Sequence, residues 1–118
     1  MKDSRSINQK DRNSILKAIN KSPAKHILVT HGTYTMPDTG RFLEKNLKNN
    51  EKVIILTGSM IPISGFAPSD AGFNLGFAVA KFDSLEPGVY VAMNGTVFTP
   101  SEVVKLVSEG RFSSIMNK

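Results

Sequence analysis

The chain has 118 residues, 40% of them hydrophobic and 21% charged, with 15 Lys and Arg against 10 Asp and Glu for a formal net charge of +5. That length suits a single domain with one core, and the basic residues are interleaved with acids rather than gathered into the stripe a nucleic acid needs, while no apolar run approaches the roughly 20 residues of a membrane span. Cysteine is absent, which excludes disulfides, thiolate chemistry and Cys-ligated zinc, and His26 and His31 match no common ligand spacing, so no metal and no cofactor is expected.

In chain order, Asn8 followed by Asp11 can cap a helix, and Ile15, Leu16 and Ile19 recur at helical spacing. Residues 9–20 are therefore predicted as an amphipathic helix, ended by Ser22 and Pro23. HILVT, residues 26–30, is a continuous apolar run and predicts a strand buried on both faces. After a polar loop, Pro37 suits the first turn of a second helix, with Phe42, Leu43 and Leu47 as its buried stripe to about residue 48. KVIILTG, residues 52–58, repeats the strand pattern.

Two prolines and a glycine in SMIPISGFAPSD forbid regular structure. Asp70 can then cap a helix over about 71–82 that carries Phe73, Phe77 and Val79 inward. GVYVAM, residues 88–93, is a third apolar strand, Asn94-Gly95 favours a tight turn, and TVF follows as a short strand. TPSEVVKLV reads two ways: Thr99, Pro100 and Glu102 suit a helix start, whereas Val103, Val104, Leu106 and Val107 favour a strand. Strands alternating with helices imply a parallel sheet with helices on both faces, the α/β class, and there is no internal repeat.

In an open α/β sheet, ligands bind beyond the carboxyl ends of the strands, where loops and helix N-termini converge. THGTYTM, TGSM and MNGTVF all stand at such ends, and their backbone amides and small hydroxyl residues suit an anionic or carbonyl ligand. Taken in order, VTHGTYTM, VIILTGSMIP, SDAGFNL, GVYVAMNGTVF and EVVK closely resemble the bacterial L-asparaginase and glutaminase family, and the opening DSRSINQKDR is similar to the segment before that family's second active-site motif.

The resemblance implies a partial doubly wound, flavodoxin-like three-layer fold of mostly parallel strands. Residues 1–118 would be a single domain equivalent to the second half of the family's larger N-terminal domain. It implies hydrolysis of L-asparagine to L-aspartate and ammonia, with a small-molecule amide or amino acid as partner and no nucleic acid or membrane. The family's nucleophilic Thr lies in a TGGTI-like motif, and the sequence holds no such stretch, no flap with its Tyr and no second domain. The chain alone is therefore expected to be incomplete or impaired, with a homo-oligomer or a second chain carrying the missing segment as its expected assembly. The alternative is a non-catalytic remnant that binds a ligand or oligomerises, or a degraded gene product. The cytoplasm is the expected compartment.

Residue by residue, the resemblance assigns Thr33 to the family's second catalytic Thr and Lys105, in EVVK, to the lysine that pairs with it and tunes its proton. A lysine needs burial or a cationic neighbour to become a useful base. Gly32 and Ser4 fall where the family holds the substrate carboxylate, and Ser59 stands in the GSM loop. Tyr34 departs from the pattern, standing where the family has an Asp that bonds the substrate's amino group. A phenol carries no negative charge at neutral pH and cannot pair an ammonium as a carboxylate does. His31 is expected to serve backbone groups rather than act as a base, and Asp70 and Asn74 are expected to cap and pack the helix that follows.

Overall fold

The computed structural model describes residues 7–47, 50–59, 70–106 and 111–114, with side chains described as far as residue 102. Helix α1 (Gln9–Lys21) opens with the expected cap: Asp11 N–H donates to the Asn8 side chain, and Asn8 N–H to the Asp11 carboxylate, both at 3.0 Å. At its other end Lys52 donates from Nζ to the carbonyls of Ile19 and Ser22, at 2.5 and 2.6 Å. A cation on the last carbonyls of a helix meets the negative end of its dipole, and here it ties α1 to the start of a strand.

Strand β1 (His26–Thr30), helix α2 (Met36–Asn46), strand β2 (Val53–Thr57), helix α3 (Ala71–Lys81) with a 3-10 turn (Phe82–Ser84), and strands β3 (Gly88–Met93) and β4 (Thr96–Phe98) follow. The sheet order is β1-β2-β3-β4, with β1, β2 and β3 parallel and β4 antiparallel to β3. Asn94 and Gly95 both have positive φ, 53° and 73°, and close a two-residue hairpin between paired Met93 and Thr96. The Asn-Gly pair tolerates that geometry where most residues do not.

Alternation along the strands builds two cores. Ile54, Leu56, Val89, Val91 and Met93 meet Ile19 of α1 and Met36 and Leu43 of α2 on one face. Val53, Ile55 and Ala92 meet Ala78 of α3 and Phe82 on the other. The molecule is thus three layers, as expected of the α/β class. Strands β1, β2 and β3 lie in chain order, yet α2 covers one face and α3 the other. Crossovers that step the same way on opposite faces have opposite hands, so one of the two βαβ units is left-handed, against a preference of about 98% for right-handed ones.

Two expectations are corrected and one open reading is resolved. HILVT packs on both faces, Ile27 and Val29 against one core and Leu28 against the other, but as the edge strand it is only half-buried, with its ends exposed. Phe73 and Val79 do not face inward but are 62% and 58% exposed, because α3 turns Asn74 and Ala78 to the sheet instead. TPSEVVKLV resolves to strand: β5 (Val103–Leu106) pairs antiparallel with β6 (Arg111–Ser114). Thr99 N–H donates to the Glu102 carboxylate at 3.0 Å and Glu102 N–H to the Thr99 carbonyl at 3.2 Å, closing a turn rather than starting a helix.

Candidate functional site

Parallel pairing brings the carboxyl ends of β1, β2 and β3 to one edge of the sheet. Thr30 lies opposite Thr57, and His31 N–H continues the ladder to the Thr57 carbonyl at 2.9 Å. Gly32 to Thr35 then turn into α2, while Gly58 and Ser59 leave β2 beside them. The two exits are in van der Waals contact: a Cβ on Gly58 would overlap the His31 carbonyl oxygen and meet Met36 Cε at 3.0 Å. Only glycine fits there, which accounts for the Gly of the TGSM stretch.

Asn74 is the hub of the opposite side, fully buried. Its amide nitrogen donates to the Gly58 carbonyl at 2.8 Å and to Asp70 Oδ2 at 2.9 Å, and its oxygen accepts from Asn94 N–H at 3.0 Å. One side chain therefore ties the β2 exit, the start of α3 and the β3–β4 turn. Asp70 makes no side-chain cap to α3, contrary to expectation; it accepts from Asn74 and from the Ser59 hydroxyl, the latter at 2.5 Å. Such a bond to a carboxylate is of the strong, charge-assisted kind.

Across from it stands a second set. His31 is buried, its Nδ1 2.6 Å from the Gly32 carbonyl and its Nε2 2.9 Å from Thr39 Oγ1, which also accepts from Arg12 Nε at 3.1 Å. Burial, first, and the Arg12 cation push the His31 pKa below its ordinary 6.5, opposed by the bond to Gly32. A neutral imidazole bonded at both nitrogens serves backbone and side-chain partners, as the motif suggested.

Of the residues singled out in the sequence, Thr33 is buried at 9% exposure in this loop, Gly32 is half-buried beside it, and Tyr34 is 58% exposed. Ser59 is half-buried at the β2 exit, committed to Asp70. Lys105 lies in β5, opposite Phe112 of β6, and β5 runs beside α2, the helix that Thr33 leads into. Ser4 lies outside the described residues. The structure thus gathers Gly32, Thr33, Tyr34 and Ser59 at one sheet edge. Arg12 and Thr39 were not singled out in the sequence, although each sits on its helix's apolar stripe. Among the described residues no group of three His, Asp or Glu could hold a metal, and no helix is long and apolar enough to cross a membrane.

In open α/β folds, the strand-end edge where these loops place a buried Thr and a Gly between hydrogen-bonded Asn, Asp and His side chains is the edge at which small ligands bind. The model of the asparaginase N-terminal domain matches residues 1–116, and the chain belongs to that family. The glutaminase-asparaginase of Acinetobacter glutaminasificans is 37% identical over 109 residues, 86% of this chain and 32% of that protein. The L-asparaginase of Thermococcus kodakarensis is 37% identical over 84 residues, 71% of this chain and 25% of its own length. Among solved structures, a probable cytoplasmic L-asparaginase from Campylobacter jejuni superposes with a TM-score of 0.85 at 31% identity, over 96% of this chain and 39% of that one. The thermostable Thermococcus kodakarensis L-asparaginase superposes with a TM-score of 0.87 at 32% identity, over 96% and 35%. The chain thus spans about a third of the length of the relatives it matches.

Proposed function

We propose that these 118 residues form the second-motif half of an amidohydrolase site that cleaves the side-chain amide of L-asparagine to L-aspartate and ammonia. Thr33 supplies the hydroxyl that serves the hydrolytic water or activates the nucleophile, and Lys105 tunes its proton. Gly32 and, from the N-terminal segment, Ser4 hold the substrate's carboxylate end, with Ser59 on the neighbouring substrate-binding GSM loop. The nucleophile belongs to a TGGTI-like segment supplied by other polypeptide, in the cytoplasm.

The observation that carries the reading is the burial of Thr33 where the β1 and β2 exits converge, in a family whose relatives bear asparaginase names. Ammonia release from L-asparagine by the 118-residue chain is expected to be near background. It is expected to rise when a polypeptide carrying the nucleophile segment is added, and to fall again with Thr33→Ala. Turnover at ordinary enzymatic rates by the chain alone, abolished by Thr33→Ala, would instead make Thr33 a sufficient nucleophile and overturn the division of the site.

Tyr34 favours a second reading, a ligand-binding or oligomerising module without catalysis. Replacing Tyr34 by Asp restores a carboxylate beside Thr33, and one charge-assisted hydrogen bond to an amino group is worth roughly tenfold to a hundredfold in affinity. Calorimetric titration of both forms with L-aspartate separates the readings. Tighter binding by Tyr34→Asp supports a family pocket altered at one position; no gain supports the non-catalytic module.

A further inference from the structure

Among the described residues His31 is the ionisable side chain that the fold buries, at 5% exposure, and the function proposed above gives it no chemistry. Its hydrogen bonds nonetheless have a fixed direction. A carbonyl oxygen only accepts, so Nδ1, 2.6 Å from the Gly32 oxygen, carries the proton. Nε2 is then the acceptor, and the Thr39 hydroxyl, 2.9 Å away, donates to it. The Thr39 oxygen in turn accepts from Arg12 Nε–H at 3.1 Å. The chain Arg12, Thr39, His31, Gly32 therefore runs one way, from α1 through α2 to the backbone on which Thr33 is mounted.

We infer that this directed chain is a positioning device for Thr33: neutral His31 fastens the Gly32 carbonyl to α1 and α2, and a proton on Nε2 breaks the link to Thr39 and Arg12 while Nδ1–H keeps its bond to Gly32. The catalytic meaning rests on the role of Thr33 proposed above, whereas the fastening itself does not. A proton on Nε2 turns that nitrogen into a donor. Thr39 Oγ1 then faces two donors, and the imidazolium and the Arg12 guanidinium stand one hydroxyl apart. From α2 the ring meets the uncharged Thr39, from α1 the charged Arg12, and the end of β2 presents the Thr57 carbonyl to the His31 backbone N–H. The group that protonation sets against His31 is therefore Arg12, and the same cation and the burial of the ring keep it neutral at physiological pH.

The test is an NMR titration of the isotope-labelled 118-residue chain between about pH 4 and pH 8, the range in which a histidine changes charge. The amides of Gly32 and Thr33 are expected to shift with the midpoint of the His31 ring, below 6.5. Arg12→Gln is expected to raise that midpoint and carry the Gly32 and Thr33 transitions with it. Thr39→Val leaves the Nδ1 bond to Gly32 but removes the link to α2 and Arg12. It is expected to move the Gly32 and Thr33 amides at neutral pH toward their acid-side positions and to shrink their titration, and Thr39→Ser to restore the parent behaviour. Gly32 and Thr33 amides that ignore the His31 titration, or that keep the parent's neutral-pH positions and full amplitude in Thr39→Val, would overturn the device. Should Thr39→Val fail to fold, the Arg12→Gln shift decides alone. Ammonia release has no part in these readouts, so failure of the device and failure of the amidohydrolase reading are separate results. In an assembly that turns over, kcat is expected to fall with the His31 midpoint while KM holds, and His31→Gln, which still accepts from Thr39 but does not titrate, is expected to flatten that limb.

Discussion

At Gly58 the backbone leaves no room for a side chain, and the consequence reaches the candidate site directly, because the atom in the way is the His31 carbonyl oxygen. Backbone cannot swing aside as a flexible side chain can. Gly58→Ala is expected to lower stability by about 1–3 kcal/mol, the usual range for overpacking, and to shift the resonances of Gly32 and Thr33; urea denaturation and NMR measure both. Asn74 makes a different point, since it is buried with both ends of its amide used. Asn74→Asp keeps the shape but sets a carboxylate against Asp70 and the Gly58 carbonyl. That carboxyl's pKa would be raised in the native state, so the folded chain binds more protons than the unfolded one above the ordinary Asp value of about 3.9. Stability of Asn74→Asp is therefore expected to be lowest at neutral pH and to recover partly on acidification, the reverse of the parent chain. Residues of this kind were only partly legible in the sequence. The Gly after TGS-type strand exits and the Asn-Gly turn announce themselves by residue type. Arg12 shares the spacing of Ile15, Leu16 and Ile19, and Thr39 that of Met36 and Leu43, but neither was singled out in the sequence. A polar residue on an apolar stripe with a distant partner cannot be paired from sequence, because the partner lies 27 positions away.

Among the elements, α3 departs furthest from its pattern. Choosing the largest apolar residues as the inward face selects Phe73, Phe77 and Val79, yet of these only Phe77 packs against the core, and the helix meets the sheet chiefly through Asn74, Ala78 and the following Phe82. Small Ala78 lets the helix approach closely, and the three hydrogen bonds of Asn74 outweigh what burying Phe73 would gain. Phe73 instead stacks on Phe77, with ring centroids 6.2 Å apart, and lies over the turn at Gly95. Phe73→Ser is accordingly expected to change stability by no more than about 0.5 kcal/mol, whereas Leu43→Ala, fully buried on the other face, should lower it by about 2–5 kcal/mol. Equal losses in thermal or urea unfolding would place Phe73 in a core. Helix α1 is held differently, by the Lys52 ammonium on its last carbonyls. Lys52→Met removes two charge-assisted bonds and is expected to lower stability by about 1.5–3 kcal/mol, with the loss expressed first as fraying of α1 in hydrogen exchange. The ends of α1 and the extents of β2 and β3 were legible because caps and apolar runs are local signals. The edge position of β1 was not, since an apolar run looks the same in a central strand and in one that pairs on a single side. TPSEVVKLV was undecidable locally: its turn and its strand both form, one after the other.

For the molecule as a whole, alternation of strands and helices made the three-layer class readable, while the opposite hands of its two crossovers had no local signature. The response to pH is likewise a property of the whole chain, set by the groups whose proton affinity differs between folded and unfolded states. His31 is lowered from 6.5, chiefly by burial. Between its folded value and 6.5 the unfolded chain therefore binds the extra proton, so this contribution is fully present above that window and is lost as pH falls through it. One differential proton removes up to about 1.4 kcal/mol per pH unit inside the window. Glu51, lowered from 4.5 by its hydrogen bond and ion pair with Lys25, acts in the same direction but only below that value, and both partners are so exposed that solvent screens the effect. Tyr90 is raised above 10.0, first by burial of its ring and then by Glu86, so the native state holds its proton longer and stability falls as pH climbs past the ordinary value. The expected profile is a plateau from about the histidine range to about the tyrosine range, with an acid limb that begins well above the carboxylates. Urea denaturation at a series of pH values measures it. In His31→Gln the acid limb should start later, near the carboxylate range, because the substituted side chain accepts from Thr39 but takes no proton. An acid limb that begins at the same pH in both chains would assign the loss to carboxylates and leave the buried imidazole without influence on the stability of the fold.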